Sequence, residues 1–273
     1  MDILIYLLIG SVSGFVAGLF GIGGGLVIIP CLYVAFRYFG IPYEVIMHLA
    51  VGTAMASIIV SSLSSALAQH KKKAILWNLV SYLVPTMMIG SLLGAWIADM
   101  LPSHYMQLLI GLFACWTAYK MFVGAKANSQ NQDEKPQISV LQHRIVGGLI
   151  GMASSIFGIA GGSIIVPYLN RCGIVMQNAV ATSSACGVPI ALMGAIGYLW
   201  FGSRQNIDVA HTIGYIHVYA FLGISIASFI TAKLGVKIAH AISAARLKKY
   251  FAIELLLVGL YFTYQFGKAW FVA

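Results

Sequence analysis

Residues Ser13–Pro30, SGFVAGLFGIGGGLVIIP, are echoed at Met152–Pro167, MASSIFGIAGGSIIVP. With Pro30 set on Pro167, Phe20, Gly21, Ile22, Gly24 and Gly25 fall on Phe157, Gly158, Ile159, Gly161 and Gly162, a constant offset of 137 residues. Gly10 and Gly14 then fall on Gly147 and Gly151. The pattern reads as one unit written twice. Each copy carries a glycine-rich break inside an apolar run, and glycine breaks helices because it loses the most backbone freedom on ordering. Paired breaks of this kind point to the binding site of a duplicated transporter.

The surroundings of both breaks are those of a membrane protein. The chain has 273 residues, of which 60% are hydrophobic and 8% charged, with a mean hydropathy of +0.90. Several apolar runs exceed the roughly 20 residues that cross the hydrocarbon core as a helix. They lack the period-two alternation of a transmembrane β-barrel, which leaves an all-α, multi-pass protein. A net charge of +9 sits at segment ends, where it suits lipid headgroups and orientation rather than nucleic acid. Cys31, Cys115, Cys172 and Cys186 are scattered, without metal-ligand spacing, and read as small core residues. Met1–Tyr6 lacks the basic start of a cleavable signal, so the first segment is expected to stay.

Apolar runs fall at about 3–36, 45–69, 75–98, 105–123, 145–170, 178–201, 212–234 and 250–272. The expected organisation is a first transmembrane repeat over 1–123, a polar linker over 124–143 and a second repeat over 144–273. Pro85 and Pro189 interrupt two runs and are expected to kink them. If every run crosses the bilayer once, the 16 Lys and Arg divide 9 to 7 between its sides. If the first run of each half turns back at its glycines, they divide 13 to 3. Basic residues favour the cytoplasm, so the second arrangement is preferred. It gives each half a glycine-broken helical hairpin plus three spanning helices. Both termini then lie outside and the central linker in the cytoplasm. An odd number of crossings per half makes the repeats inverted, with the breaks meeting near a pseudo-two-fold axis. Whether each hairpin arm spans fully is left open. Small residues at four-residue spacing, Gly10, Gly14 and Gly18, then Gly147, Gly151 and Ser155, then Gly90, Gly94 and Ala98, are expected at close helix contacts.

Gly21, Gly23, Gly24 and Gly25, with Gly158, Gly161 and Gly162, each precede or open a helix that starts inside the membrane. A helix start offers free N–H groups and partial positive charge, which suits an anion. The other possibility is a tight turn whose backbone neighbouring helices satisfy. A second repeated element follows each break: Ala50-Val51-Gly52-Thr53, and Ala179-Val180-Ala181-Thr182 continuing to Ser183. The hydroxyls of Thr53, Thr182 and Ser183 either donate to anion oxygens or bond carbonyls one turn back. His48 and Glu254 are candidates for proton coupling. No nucleotide-binding loop or zinc motif is present, so neither an enzymatic activity, a cofactor nor a metal is expected.

On GLFGIGGGLVIIP, its echo IFGIAGGSIIVPYL, and the AVGT and AVATSS elements, the chain resembles the TauE/SafE family of membrane transporters over essentially its whole length. The resemblance implies movement of sulfur-containing anions, namely sulfite, thiosulfate, sulfoacetate or other organosulfonates, often outward, across a bacterial inner membrane. The second copy departs by placing Ala160 where the first has Gly23 and Ser163 where it has Leu26. That makes the expected site asymmetric, with Ser163 as an extra donor. Export suits an anion, which gains about 2.3 kcal/mol per 100 mV on leaving an inside-negative cell. The expected mechanism is alternating access on a small anion between the two breaks. An anion channel and a non-transporting scaffold or accessory subunit are the alternatives.

Overall fold

The computed structural model describes residues 2–21, 23–123, 140–205, 207–239, 241 and 244–272. Most of the segment read as a linker therefore lies outside the described residues. Its last four residues, Val140–His143, already belong to a helix.

The protein is all-α, with ten helices among the described residues. In the first half these are α1 (Asp2–Phe20), α2 (Gly25–Tyr38), α3 (Tyr43–Lys71), α4 (Trp77–Asp99) and α5 (Ser103–Val123). The second half repeats the order with α6 (Val140–Ile156), α7 (Gly162–Arg171), α8 (Met176–Gly202), α9 (Val218–Ala239) and α10 (Ala244–Val272). A short antiparallel hairpin, β1 (Thr212–Ile213) and β2 (Ile216–His217), joins α8 to α9. The apolar run at 212–234 thus begins as a hairpin rather than as helix. Among the described residues, five helices, α1, α3, α4, α8 and α9, are long and apolar enough to cross a membrane. The hairpin arms are unequal: α2 has 14 residues and α7 only 10, both short of a crossing, whereas α1 has 19.

Small residues decide which helices touch. A Cβ on Gly10 would meet Ile224, on Gly14 Ser228 and on Gly18 Ala232, so α1 lies parallel to α9 backbone against backbone. In the same way Gly147 faces Leu83, Gly151 faces Met87, and Gly90 and Gly94 face Gly148 and Met152, which sets α6 parallel to α4. Within the bilayer, lipid tails are as apolar as leucine, so close van der Waals approach supplies the attraction. Each seam joins one half of the chain to the other.

α3 and α8 form the centre, running antiparallel. Ser65 meets Ser184 at 3.1 Å, Ser62 lies by Gly187, and Met55 by Gly194. α5 and α10 pair at Gly111 and Gly259. Tyr6 near the start of α1 meets Phe39 after α2 at 6.2 Å between ring centres, so the first hairpin opens at the end where α3 begins. The Tyr168 hydroxyl of α7 and His143 Nδ1 of α6 lie 2.7 Å apart, and the second hairpin opens at the end where α4 begins. The two hairpins therefore enter the bundle from opposite ends.

Candidate functional site

Both hairpins turn through glycines in the left-handed region. Gly24 (φ 79°, ψ 1°) is the N-cap of α2 and Gly161 (φ 75°, ψ −10°) the N-cap of α7. A side chain in that conformation costs about 1–2 kcal/mol per residue, so glycine at these two positions is what lets a helix begin there. Neither N-cap has a side-chain hydrogen bond among the described residues. Two helix starts, with their first-turn N–H groups and partial positive charge, are thereby buried inside the bundle without a capping side chain.

The breaks touch each other. A Cβ on Gly23 would stand 2.6 Å from the Cβ of Ala160, and one on Gly25 would strike the carbonyl oxygen of Gly158. Gly158 in turn lies against Ile29 and Val51. Buried hydroxyls surround this contact. Ser183 Oγ donates to the Gly21 carbonyl at 2.7 Å, and Ser61 Oγ to the Gly23 carbonyl at 2.8 Å. The Oγ atoms of Ser62, Ser154, Ser155 and Ser163 are buried without a hydrogen-bond partner among the described residues.

Of the residues singled out from the sequence, Gly21, Gly23, Gly24, Gly25, Gly158, Gly161, Gly162, Ser163 and Ser183 come together here. Thr53 and Thr182 have other partners. Thr53 Oγ1 accepts the His217 N–H at 2.9 Å, just before α9, and Thr182 Oγ1 accepts the Leu76 N–H at 3.1 Å, just before α4. The repeated threonine thus braces the same kind of connection in each half. Sequence reasoning missed Ser61, Ser62 and Ser154. The signal for the first two was the run Ser61-Ser62-Leu63-Ser64-Ser65 inside an apolar segment.

His48 stands apart, near the start of α3. Its Nε2 is 3.1 Å from the Ala98 carbonyl, and its ring stacks on Tyr215 at 4.9 Å. The Tyr215 hydroxyl, in the α8–α9 connection, donates to Asp99 Oδ1 at 2.9 Å. Burial and the neighbouring carboxylate raise the Tyr215 phenol above its ordinary range, so it remains a donor. At the same end a cavity of about 690 Å³ is lined by Tyr6, Phe39, Pro42, Asp208, His211 and His217. Glu254 lies in α10 with both carboxylate oxygens buried and no hydrogen-bond partner among the described residues. The four cysteines are free, and no group of three or more His, Cys, Asp or Glu among the described residues is placed to hold a metal.

Comparison with known proteins adds a family. Residues 6–262 match the family model for the sulfite exporter TauE/SafE. A probable membrane transporter protein of Haemophilus influenzae is 35% identical over 258 residues, covering 94% of this chain and 97% of that one. Similar proteins bearing the same description occur in Methanocaldococcus jannaschii, 28% identical over 93% of both chains, and in Bacillus subtilis, 25% identical over 97% of this chain and 98% of the relative. No solved structure gives a significant match.

Proposed function

We propose, because this chain belongs to the sulfite exporter TauE/SafE family, that it carries small sulfur-containing anions such as sulfite, thiosulfate, sulfoacetate or other organosulfonates out of the cell. The carrying observation is the meeting of two uncapped helix starts, at Gly24 and Gly161, inside a helical membrane protein. Helix starts hold anions through N–H groups and dipole without a buried positive charge. The closed contact of the breaks is one state of an alternating-access cycle. Parting of the hairpins toward one end or the other exposes the anion to one side at a time.

The entry of the hairpins from opposite ends of the bundle supports an inverted-repeat plan. The charge bias supports placing both termini outside a bacterial inner membrane and the central segment in the cytoplasm. An inside-negative potential favours outward movement by about 2.3 kcal/mol per 100 mV for each negative charge. Where transport runs against that potential, His48 and Glu254 are the groups that take up a proton.

Proteoliposomes loaded with labelled sulfite test the reading. Saturable efflux that quickens with an inside-negative potential and is competed by sulfonates is the expected result. Currents far above carrier rates without exchange of trans anions would make the protein a channel. No flux of sulfite, thiosulfate or simple sulfonates under any gradient would overturn the transport reading and favour a scaffold or accessory role.

A further inference from the structure

One hydroxyl stands where the two breaks and the two central helices meet. Ser62 Oγ of α3 lies 2.8 Å from where a Cβ on Gly23 would stand, at the first break, and 2.9 Å from the equivalent point on Gly187 of α8. Ala160 Cβ, at the second break, lies 2.6 Å and 3.0 Å from the same two points. Ser62 is 1% exposed, and its Oγ has no hydrogen-bond partner among the described residues. The adjacent Ser61 Oγ is committed to the Gly23 carbonyl at 2.8 Å. The other side chains at this junction are apolar. Ile58, one turn before Ser62, puts its Cγ2 2.6 Å from the Gly23 point and its Cδ1 2.8 Å from that of Gly25, which opens α2. With Thr53 set on Thr182, Ile58 and Ser62 fall on Gly187 and Ala191, so the second half has no matching hydroxyl.

A buried hydroxyl is ordinarily hydrogen-bonded, because an unpaired donor away from water is costly. Ser62 carries that cost at the point where the two hairpins touch. Resting on the transporter reading above, we propose that Ser62 donates to an oxygen of the anion's SO3 group in the space that opens between Gly23, Ala160 and Gly187 when the hairpins part, and that Ile58 and Ala160 face the fourth position on the sulfur. The site then sorts anions by that position rather than by charge. Sulfite has a lone pair there, thiosulfate a second sulfur and a sulfonate a carbon, and each suits an apolar wall. Sulfate has a fourth oxygen, which gives up its water to Ile58 and Ala160 with no donor in return. Thiosulfate and sulfate carry the same charge, so the helix starts at Gly24 and Gly161 attract them alike and the wall decides between them.

Purified full-length protein in detergent is titrated with thiosulfate, methanesulfonate and sulfate, following heat of binding and the ligand-induced rise in unfolding temperature. Wild type is expected to bind thiosulfate at least about tenfold more tightly than sulfate. Ser62→Ala is expected to weaken thiosulfate and methanesulfonate binding about tenfold, the scale of one hydrogen bond to a charged group. Its ligand-free unfolding temperature stays level or rises, since an unpaired buried hydroxyl is removed. Ser61→Ala gives the contrast, lowering ligand-free stability because the Gly23 carbonyl loses its donor. Ile58→Thr sets a hydroxyl in the wall without added bulk and is expected to narrow the preference for thiosulfate over sulfate to about threefold. A Ser62→Ala protein that binds both anions like wild type overturns the assignment of the hydroxyl, as does one that loses ligand-free stability as Ser61→Ala does. Sulfate bound as tightly as thiosulfate by wild type overturns the selectivity, and a preference undiminished in Ile58→Thr overturns the role of the wall. A wild-type protein that binds none of thiosulfate, methanesulfonate and sulfite removes the transporter reading itself, and this proposal with it.

Discussion

The Ser183 hydroxyl on α8 donates a 2.7 Å hydrogen bond to the carbonyl of Gly21, fastening the first glycine break to a helix of the opposite half of the chain. Ser183→Ala leaves that carbonyl buried and unpaired, which costs about 1–3 kcal/mol. Thermal unfolding in detergent should show a lowered midpoint, and an unchanged midpoint would mean that the carbonyl finds another donor.

Valine at a break removes the closed contact. Gly24 has φ 79°, and a Cβ there would lie 2.5 Å from the Ser13 carbonyl oxygen. Gly161→Val meets φ 75° and Ser154 Oγ. Both variants are expected to reach the membrane and to lose sulfite efflux from loaded proteoliposomes. Normal flux in both would take the breaks out of the mechanism.

The two threonines separate bracing from binding. Thr53→Val and Thr182→Val remove the acceptors of the His217 and Leu76 N–H groups. Each should lower stability by about 1–2 kcal/mol, as for a lost buried hydrogen bond, and slow transport without raising the half-saturating anion concentration. A raised half-saturating concentration at undiminished stability would instead place the hydroxyls on the anion.

Glu254 is the sharpest test of coupling. An ionised carboxylate at membrane depth costs roughly 2.5–3.5 kcal/mol on insertion scales, and here neither oxygen has a hydrogen-bond partner among the described residues. Glu254→Gln removes the titration and keeps the shape. Stability should hold or rise, and any acceleration of flux by an imposed proton gradient should disappear. A gradient effect that survives in Glu254→Gln would assign coupling elsewhere, with His48→Gln as the next variant.

Tyr215→Phe deletes the donor to Asp99 Oδ1 and leaves His48 its stacking partner. A loss of about 1–2 kcal/mol is expected on unfolding, at the lower end for a hydrogen bond to a charged acceptor because the site is half-buried. Transport should survive in part, since the contact lies apart from the breaks.

The breaks were legible because their chemistry is local. Only glycine adopts the φ of Gly24 and Gly161 cheaply, so the need is written in the residue type. The seams were legible for the same reason, since Gly10, Gly14 and Gly18 mark one face of α1 whatever packs on it. What packs on it was not, because pairing with α9 depends on contacts most of a chain length away. The threonines show where a motif stops informing. Repetition flagged Thr53 and Thr182 as important, but a helical hydroxyl takes its partner from whichever loop folds over it. Ser62 was signalled only by its serine run, because its setting against Gly23 and Gly187 comes from residues distant in sequence. The β1–β2 hairpin was masked by its own hydrophobicity, Thr212–His217 running straight into the apolar start of α9.

The crossed seams set an order of events during synthesis. α1 emerges first, yet the surface it is shaped to meet belongs to α9, and α4 must likewise wait for α6. Until the second half is made, the glycine faces of α1 and α4 confront lipid, where small residues gain little. Neither half is a separable module, and a ribosome that stopped in the central segment would leave a set of helices in the membrane with half of every seam missing. The duplicated unit reaches its final packing only as an interlocked pair, so any change that delays the second half lengthens the time the first spends unpaired.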